Sequence, residues 1–253
     1  MSEKSILALV GTKRKQSTYK VLKMFESALE QYNFTMEYAF LHKVALCSGC
    51  LRCVEKGIET CPYYADIREI IDKISKADVI FFATPVYVDA LSGILKNLID
   101  RLVYFVHRPW LFDKRSILIA TTQYSGGKET LDYVDKIARR WGSYPIDRLV
   151  VKMALFDKNK EEVIKEIEQI SKKLNTELQK KKKPSPSLYE LTYFRIMRIL
   201  VNLTKNEVPL DYEYWKKKGW FESDFYCDAK ISIINNLLAR RIEKQVQKAL
   251  NKS

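Results

Sequence analysis

The chain has only two histidines, His42 and His107, set too far apart to suggest a triad or a histidine metal set. Each reads as a local hydrogen-bonding residue, with His42 also placed to orient a ligand in the segment that follows it. No stretch holds 18 consecutive apolar residues, so no membrane span is expected. The opening MSEKSILALVG is short and lacks a small-residue cleavage site, so no signal peptide is read and a cytoplasmic location is expected. There is no Walker A loop, no GxGxxG dinucleotide fingerprint and no hydrolase signature. No paired carboxylates stand at a strand end. A disulfide framework is excluded too, because the five cysteines are odd in number and four of them crowd into fifteen residues. In a reduced compartment such crowding points to metal binding or redox chemistry.

Hydrophobic residues make up 47% of the 253, enough for a sizeable core. That length suits one large α/β domain, or a domain of about 170 residues with an appendage. The net charge is +13, and it is unevenly placed: residues 171–253 carry 18 Lys or Arg against 9 Asp or Glu. This surplus reads as a solvated or oligomer-rim face, or as a docking surface for an acidic partner or anionic substrate.

Short apolar runs alternate with amphipathic stretches. Strands are predicted at 5–10, 34–40, 78–83, 116–121 and 146–154. Helices are predicted at 18–32, 66–76, 91–104, 128–141 and 159–180. Strand–helix units repeated five times imply a parallel sheet covered on both faces. The cysteine segment at 42–66 interrupts this rhythm. The expected organisation is a sheet domain over 1–180, a linker at 181–186, and a basic helical extension over 181–253 with helices at 188–203 and 227–249. The extension is expected to serve packing or oligomerisation.

In open α/β sheets ligands sit beyond the carboxyl ends of the strands, at a switch in strand order. Three loops are predicted there. The first runs from Gly11 through Thr12, Lys13, Arg14, Lys15, Gln16 and Ser17 to Thr18, between a strand and a helix. It offers hydroxyls, a guanidinium and a helix N-terminus to an anion; its bland reading is an ordinary charged N-cap. The second runs from Thr84 through Pro85, Val86, Tyr87, Val88 and Asp89 to Gly93. Here Tyr87 would stack on a flat ring, or simply pack. The third is Thr122, Gln123, Tyr124, Ser125, Gly126 and Gly127, whose glycine pair permits positive φ and close backbone approach.

As a set, these loops resemble the NADPH-dependent FMN reductases and, more closely, the iron–sulfur flavoproteins, both flavodoxin-like. The resemblance covers residues 5 to about 150. It implies a doubly wound five-stranded parallel sheet and FMN as cofactor. Gly11 to Tyr19 would hold the ribityl phosphate, matching a GSPRKNSNT-type loop. Pro85 to Asp89, with Leu95, Lys96, Asp100 and Arg101, and the Gly126, Gly127, Glu129 loop would surround the isoalloxazine. Lys13, Gln16 and Tyr19 depart from the first motif, and Asp89 stands where the family often has Gly.

Cys47, Cys50, Cys53 and Cys61 follow C-x2-C-x2-C-x7-C, with Pro62 after the last. Related runs ending in Cys-Pro hold iron–sulfur clusters. The resemblance implies a [4Fe–4S] centre near the flavin, with Ser48 and Gly49 donating to cluster sulfurs and Lys43, Arg52 and Lys56 balancing charge. Free redox thiols and a zinc site are the alternatives. Cys227 reads as a packing residue. The function expected is electron transfer between a ferredoxin or NAD(P)H and an unknown acceptor, in a homodimer or homotetramer. One alternative is an NAD(P)H-dependent FMN or quinone reductase without a cluster. A remote one is nucleic-acid binding by Lys180 to Lys183 and Lys216 to Lys218, interleaved with Tyr212, Tyr214, Trp215 and Trp220.

Overall fold

The computed structural model describes residues 3–180 and 183–250. Its frame is a parallel sheet in the order β2-β1-β3-β5-β6. The strands are β1 (Lys4–Val10), β2 (Phe34–Phe40), β3 (Val79–Tyr87), β5 (Arg115–Thr122) and β6 (Tyr144–Lys152), with a two-residue β4 (Ala90–Leu91) paired antiparallel to β3. The helices are α1 (Ser17–Glu30), α2 (Arg52–Glu55), α3 (Tyr64–Lys76), α4 (Gly93–Arg101), α5 (Tyr104–His107), α6 (Gly127–Arg140), α7 (Lys160–Gln179), α8 (Leu188–Leu203), α9 (Pro209–Lys217) and α10 (Ile233–Leu250).

Side chains alternate across a strand, and here both faces are covered. Ile6, Ala8 and Val10 of β1, with Phe81, Ile117 and Ile119, pack under Val21, Leu22 and Phe25 of α1 and Ile167, Ile170 and Leu174 of α7. Leu7 and Leu9, with Ile80, Phe82 and Leu118, pack under α3, α4 and α6 through Ile67, Leu98, Leu131 and Trp141. Each such fully buried Leu, Ile or Phe contributes roughly 1.5–3 kcal/mol of transfer free energy. The continuous apolar runs of β1, β3 and β5 follow from this two-sided burial. The chain leaves β1 outward to β2, then crosses back to β3. That reversal places a crevice at the carboxyl ends of β1 and β3.

The sheet and its five covering helices fall where the sequence predicts them, with shifted ends. Two expectations need correction. Residues 84–93 are not a plain loop: β3 runs on to Tyr87, and Val88 and Asp89, at φ 49° and 55°, turn it back into β4. The last helix begins at Ile233 rather than 227, and the aromatic segment before it contains α9.

Beyond α7 the chain builds a separate apolar cluster, with Phe194, Met197, Val201, Trp215 and Trp220 at its centre. Buried Arg195 locks α8 to α10 through Glu243 (2.9 Å) and to the segment before α10 through Asp224 (2.7 Å). The cluster is bolted to the sheet region at the α5 end. Trp215 Nε1 donates to His107 O (2.8 Å), and Tyr214 Oη to Pro109 O (2.9 Å). Trp215 and Trp220 are buried, so neither is free to stack on a base, as the nucleic-acid alternative requires. Lys181 and Lys182 of its basic run lie outside the described residues. Among the described residues no helix is long and apolar enough to cross a membrane.

Candidate functional site

The first helix begins without help. Gln16 occupies the N-cap of α1, no side chain caps it, and the first turn has no acidic residue. The leading N–H groups and the positive end of the helix dipole therefore face outward, ready for an anion. Thr12, Arg14, Gln16, Ser17 and Thr18 line a pocket of about 240 Å3 at this end, with Pro85, Val86 and Tyr87 from β3 and Thr121, Thr122 and Gln123 from the end of β5. Segments far apart in sequence thus meet at the predicted end of the sheet.

Side chains tie the walls together. Arg14 Nη2 donates to Tyr87 Oη (3.1 Å), joining the first loop to the β3 end. Thr18 Oγ1 and Thr121 Oγ1 share a buried hydrogen bond of 2.7 Å, fixing α1 against β5. Ser92, the N-cap of α4, donates to Gly11 O (2.5 Å) and accepts from Leu95 N (3.2 Å). Gly11 itself is closely packed: a Cβ there would come within 2.9 Å of Leu95 Cβ and 3.1 Å of Ala83 O.

Of the residues singled out from the sequence for the flavin, Gly11, Val88, Asp89, Tyr124, Gly126 and Gly127 lie outside the pocket lining, as do Lys13, Lys15, Tyr19, Leu95, Lys96 and Glu129, while Asp100 and Arg101 line the cysteine cavity instead. Val88 is 99% and Tyr124 70% exposed. The glycine pair serves contact between loops. Gly126, at φ 77°, lies so close to the β3–β4 turn that a Cβ would come within 2.6 Å of Asp89 Cα. Ser125 Oγ donates to Asp89 Oδ1 (3.1 Å) across the same junction. Gly127 faces Val150 of β6 just as closely. Thr121 and Met153 line the pocket without having been anticipated. Nothing in local sequence marks Met153, which falls inside the strand predicted over 146–154. Among the described residues the lining contains no carboxylate, histidine or cysteine, and Arg14 is its one charged side chain.

A second cavity, of about 180 Å3, is lined by all four clustered cysteines together with Ser48, Gly49, Leu51, Asp100, Arg101 and Val103. The segment carrying the cysteines has little regular structure, and three side chains from the following helices hold its backbone. Asn97 of α4 accepts from Cys47 N (2.9 Å) and donates to Val44 O (3.1 Å) and Ala45 O (3.2 Å). Arg101, 3% exposed, donates to Tyr63 O (2.5 Å). Arg108 donates to Cys53 O (2.7 Å) and Val54 O (3.0 Å). The Cys47 thiol points to Asp100 O (3.6 Å).

The thiols differ electrostatically. The Arg52 backbone N–H beside the Cys50 sulfur, helped by the Ser48 hydroxyl, lowers the Cys50 pKa. Burial raises that of Cys53, reinforced by the neighbouring Cys61 and Cys47. Arg101 is the cationic side chain that lines this cavity; Lys43, Arg52 and Lys56 do not. Among the described residues no three His, Cys, Asp or Glu side chains are gathered as the ligand set of a metal ion. Of the two histidines, His107 Nδ1 lies 2.8 Å from Asp211 Oδ2, and His42 Nδ1 is buried without a partner.

Comparison with known proteins agrees with this geometry. The family described as NADPH-dependent FMN reductase matches residues 5–156. An iron–sulfur flavoprotein of Archaeoglobus fulgidus is 27% identical over 220 residues, covering 85% of this chain and 98% of the relative. One from Clostridioides difficile is 29% identical over 197 residues, 75% of this chain and 85% of the relative. Among solved structures, the chain resembles an NAD(P)H:quinone oxidoreductase from Methanothermobacter marburgensis (TM-score 0.56, 17% identity, covering 68% of this chain and 100% of that one). It also resembles an apo NADH:FMN oxidoreductase (TM-score 0.55, 18% identity, 70% and 91%). At these identities the structural likeness speaks for the fold alone.

Proposed function

The chain belongs to the NADPH-dependent FMN reductase family, and from that premise we propose that this flavin-dependent oxidoreductase holds FMN in the three-walled pocket and takes its electrons from NAD(P)H. The observation that carries the reading is the meeting of the uncapped α1 N-terminus with the ends of β3 and β5 around one pocket free of carboxylates. Thr12, Ser17 and Thr18 would donate hydroxyls, and the α1 N–H groups backbone donors, to the FMN phosphate. Arg14 adds a charge-assisted fork and is steered by Tyr87. Pro85, Val86 and Tyr87 would border the ring, with Thr122 and Gln123 opposite. Val88, Asp89, Tyr124, Gly126 and Gly127 would shape this wall from outside, and Gly11 would set the loop's close approach to β3.

When bound, FMN supplies two-electron and one-electron chemistry of its own. The chain's part is to bind, orient and shield, since no acid–base side chain lines the pocket other than the Tyr87 phenol. The test is titration of flavin-free protein with FMN and with riboflavin, followed by NADPH and NADH oxidation. FMN is expected to bind at least tenfold more tightly than riboflavin, which lacks the phosphate. Equal affinities would sink the phosphate assignment, and no flavin binding would sink the whole reading.

A second reading is favoured by one observation: four thiols surround a single cavity. On it, Cys47, Cys50, Cys53 and Cys61 hold a [4Fe–4S] cluster, and the donor is a ferredoxin-like protein. Names of the curated relatives support this reading. The thiols share a cavity without forming the compact ligand set of one ion, which suits a polynuclear centre that spreads its thiolates over several metals better than zinc, which draws four onto one. Exposed Leu46, Leu51, Val88 and Tyr124 near the two cavities would suit the face of a second copy in a homodimer or homotetramer. Residues 181–253 are proposed as a packing extension of a 1–180 sheet domain.

A further inference from the structure

A third cavity lies at the opposite end of the sheet, away from both sites above. It is formed where β5 and β6 begin, under residues 183–186, the start of α8 and residues 225–227. Along β5, seven residue steps separate Arg115 in this cavity from Thr122 in the flavin pocket, roughly 23 Å at about 3.3 Å per step.

Arg115, Ser143 and Tyr226 in its lining carry buried donor atoms without an acceptor among the described residues. Arg115 is 7% exposed. Among the described residues its guanidinium makes no hydrogen bond or ion pair, and it lies over the Tyr144 ring at 5.8 Å. Ser143 is 3% exposed with an unpartnered Oγ, and the Tyr226 hydroxyl is buried and unpartnered. Burial holds the Tyr226 phenol well above its ordinary pKa, so it keeps its proton and can donate. Arg140 donates to Tyr189 Oη (3.2 Å), while its Nε is unsatisfied.

The lining contains four cationic side chains, Arg115, Arg139, Arg140 and Lys183, against one carboxylate, Glu190. That carboxylate is engaged, accepting from Arg139 Nη1 (3.2 Å) and from Ser187 N (2.9 Å) and Oγ (2.7 Å). Arg139 is paired in turn with Asp135 (2.7 Å). Asp228 also acts electrostatically on Cys227 in the lining. Among the described residues neither Arg115 nor Arg140 is paired with a carboxylate; Arg140 lies over the Tyr193 ring at 4.9 Å.

A guanidinium keeps its charge in any protein environment, and burying one without an acceptor is unfavourable. An anion in the cavity removes that penalty. A planar fork suits a planar carboxylate, and the other walls are flat apolar rings: Phe112, Tyr144, Tyr189, Tyr193 and Phe225. The cavity opens to solvent, and its inner space of about 50 Å3, a few waters' worth at about 10–15 Å3 each, takes the carboxylate group, with the attached ring lying at the mouth beside Tyr189, which is 49% exposed. We propose that this cavity is a second ligand site, separate from the flavin pocket, for a small carboxylate carried on a flat apolar ring, with Arg115 as its anchor and Ser143 and Tyr226 as further donors.

The test uses the full chain, with and without FMN, and benzoate as probe, with benzylamine and inorganic phosphate alongside. Calorimetry is expected to show one benzoate site per chain, with no displacement of FMN and no binding of benzylamine. Arg115→Gln should weaken benzoate at least tenfold, and Ser143→Ala and Tyr226→Phe several-fold each, with flavin affinity unchanged. The two milder variants carry the test if Arg115→Gln does not fold. Benzoate that fails to bind, that competes with FMN, or that ignores all three substitutions overturns the proposal. Phosphate binding as tightly as benzoate overturns the ring-carboxylate assignment.

Discussion

Asp211, in the C-terminal extension, lies 3.1 Å from Arg108 Nε, and the same guanidinium donates to the carbonyls of Cys53 and Val54. A carboxylate from α9 therefore steadies the arginine that holds the cysteine segment. The pair is largely buried, with Arg108 12% and Asp211 3% exposed, and His107 closes on the same carboxylate.

Breaking a buried pair by removing one partner costs about 3–5 kcal/mol, because the other charge is stranded. Asp211→Ala is thus expected to lower the denaturant midpoint and to raise the reaction rate of the Cys53 thiol with a disulfide reagent. FMN affinity should not change, since the pocket at the end of β3 uses none of these residues. Unaltered thiol reactivity in a destabilised variant would show that α9 does not govern the cysteine segment.

The junction between Gly126 and Asp89 predicts a backbone effect on flavin binding. An alanine at φ 77° carries about 1–2 kcal/mol of left-handed strain, and its Cβ runs into Asp89. Gly126→Ala should weaken FMN about tenfold or more by displacing the third loop. Flavin fluorescence titration reads this directly, and wild-type affinity would mean that the loop accommodates the methyl group without moving the pocket.

Arg14 and Ser17 predict a phosphate-specific loss. Hydrogen bonds to charged groups contribute about 1.5–3 kcal/mol, so Arg14→Ala or Ser17→Ala should each weaken FMN by roughly ten- to a hundred-fold while leaving riboflavin nearly unaffected. Parallel losses for both flavins would place the effect elsewhere.

Alkaline pH should loosen the extension. Burial pushes the Tyr214 phenol up from an ordinary 10.0 to about 12, and its proton is donated to Pro109 O. A folded-state pKa above the unfolded value favours the folded state fully below pH 10 and loses that contribution as pH rises from about 10 through about 12. Tyr214→Phe should flatten the stability profile across that window, as followed by chemical denaturation at fixed pH. An unchanged slope would assign the alkaline transition to other tyrosines.

What could be read in advance followed from local pattern. The apolar runs of β1, β3 and β5 and the periodic Ile67, Ile70 and Ile74 of α3 expose their burial in sequence, and the three loops could be placed because they end strands. The β3–β4 hairpin was hidden because Val88 and Asp89 adopt positive φ without the Asn or Gly that advertises such a turn. Helix α9 has weak periodicity, and it is held by the tertiary burial of Trp215. Arg101 and Arg108 donate to carbonyls 38 and 55 residues away, a separation that no spacing rule reveals.

The most direct test of the central claim is the content of flavin, iron and acid-labile sulfide in protein purified without oxygen. One FMN per chain, lost on combining Arg14→Ala with Ser17→Ala, is the predicted result. Iron and sulfide, about four of each on the ligand count of a [4Fe–4S] centre, would establish the cysteine reading alongside it, and their absence would leave the flavin reductase standing alone. A chain that binds no FMN even on addition of the free cofactor would contradict the account.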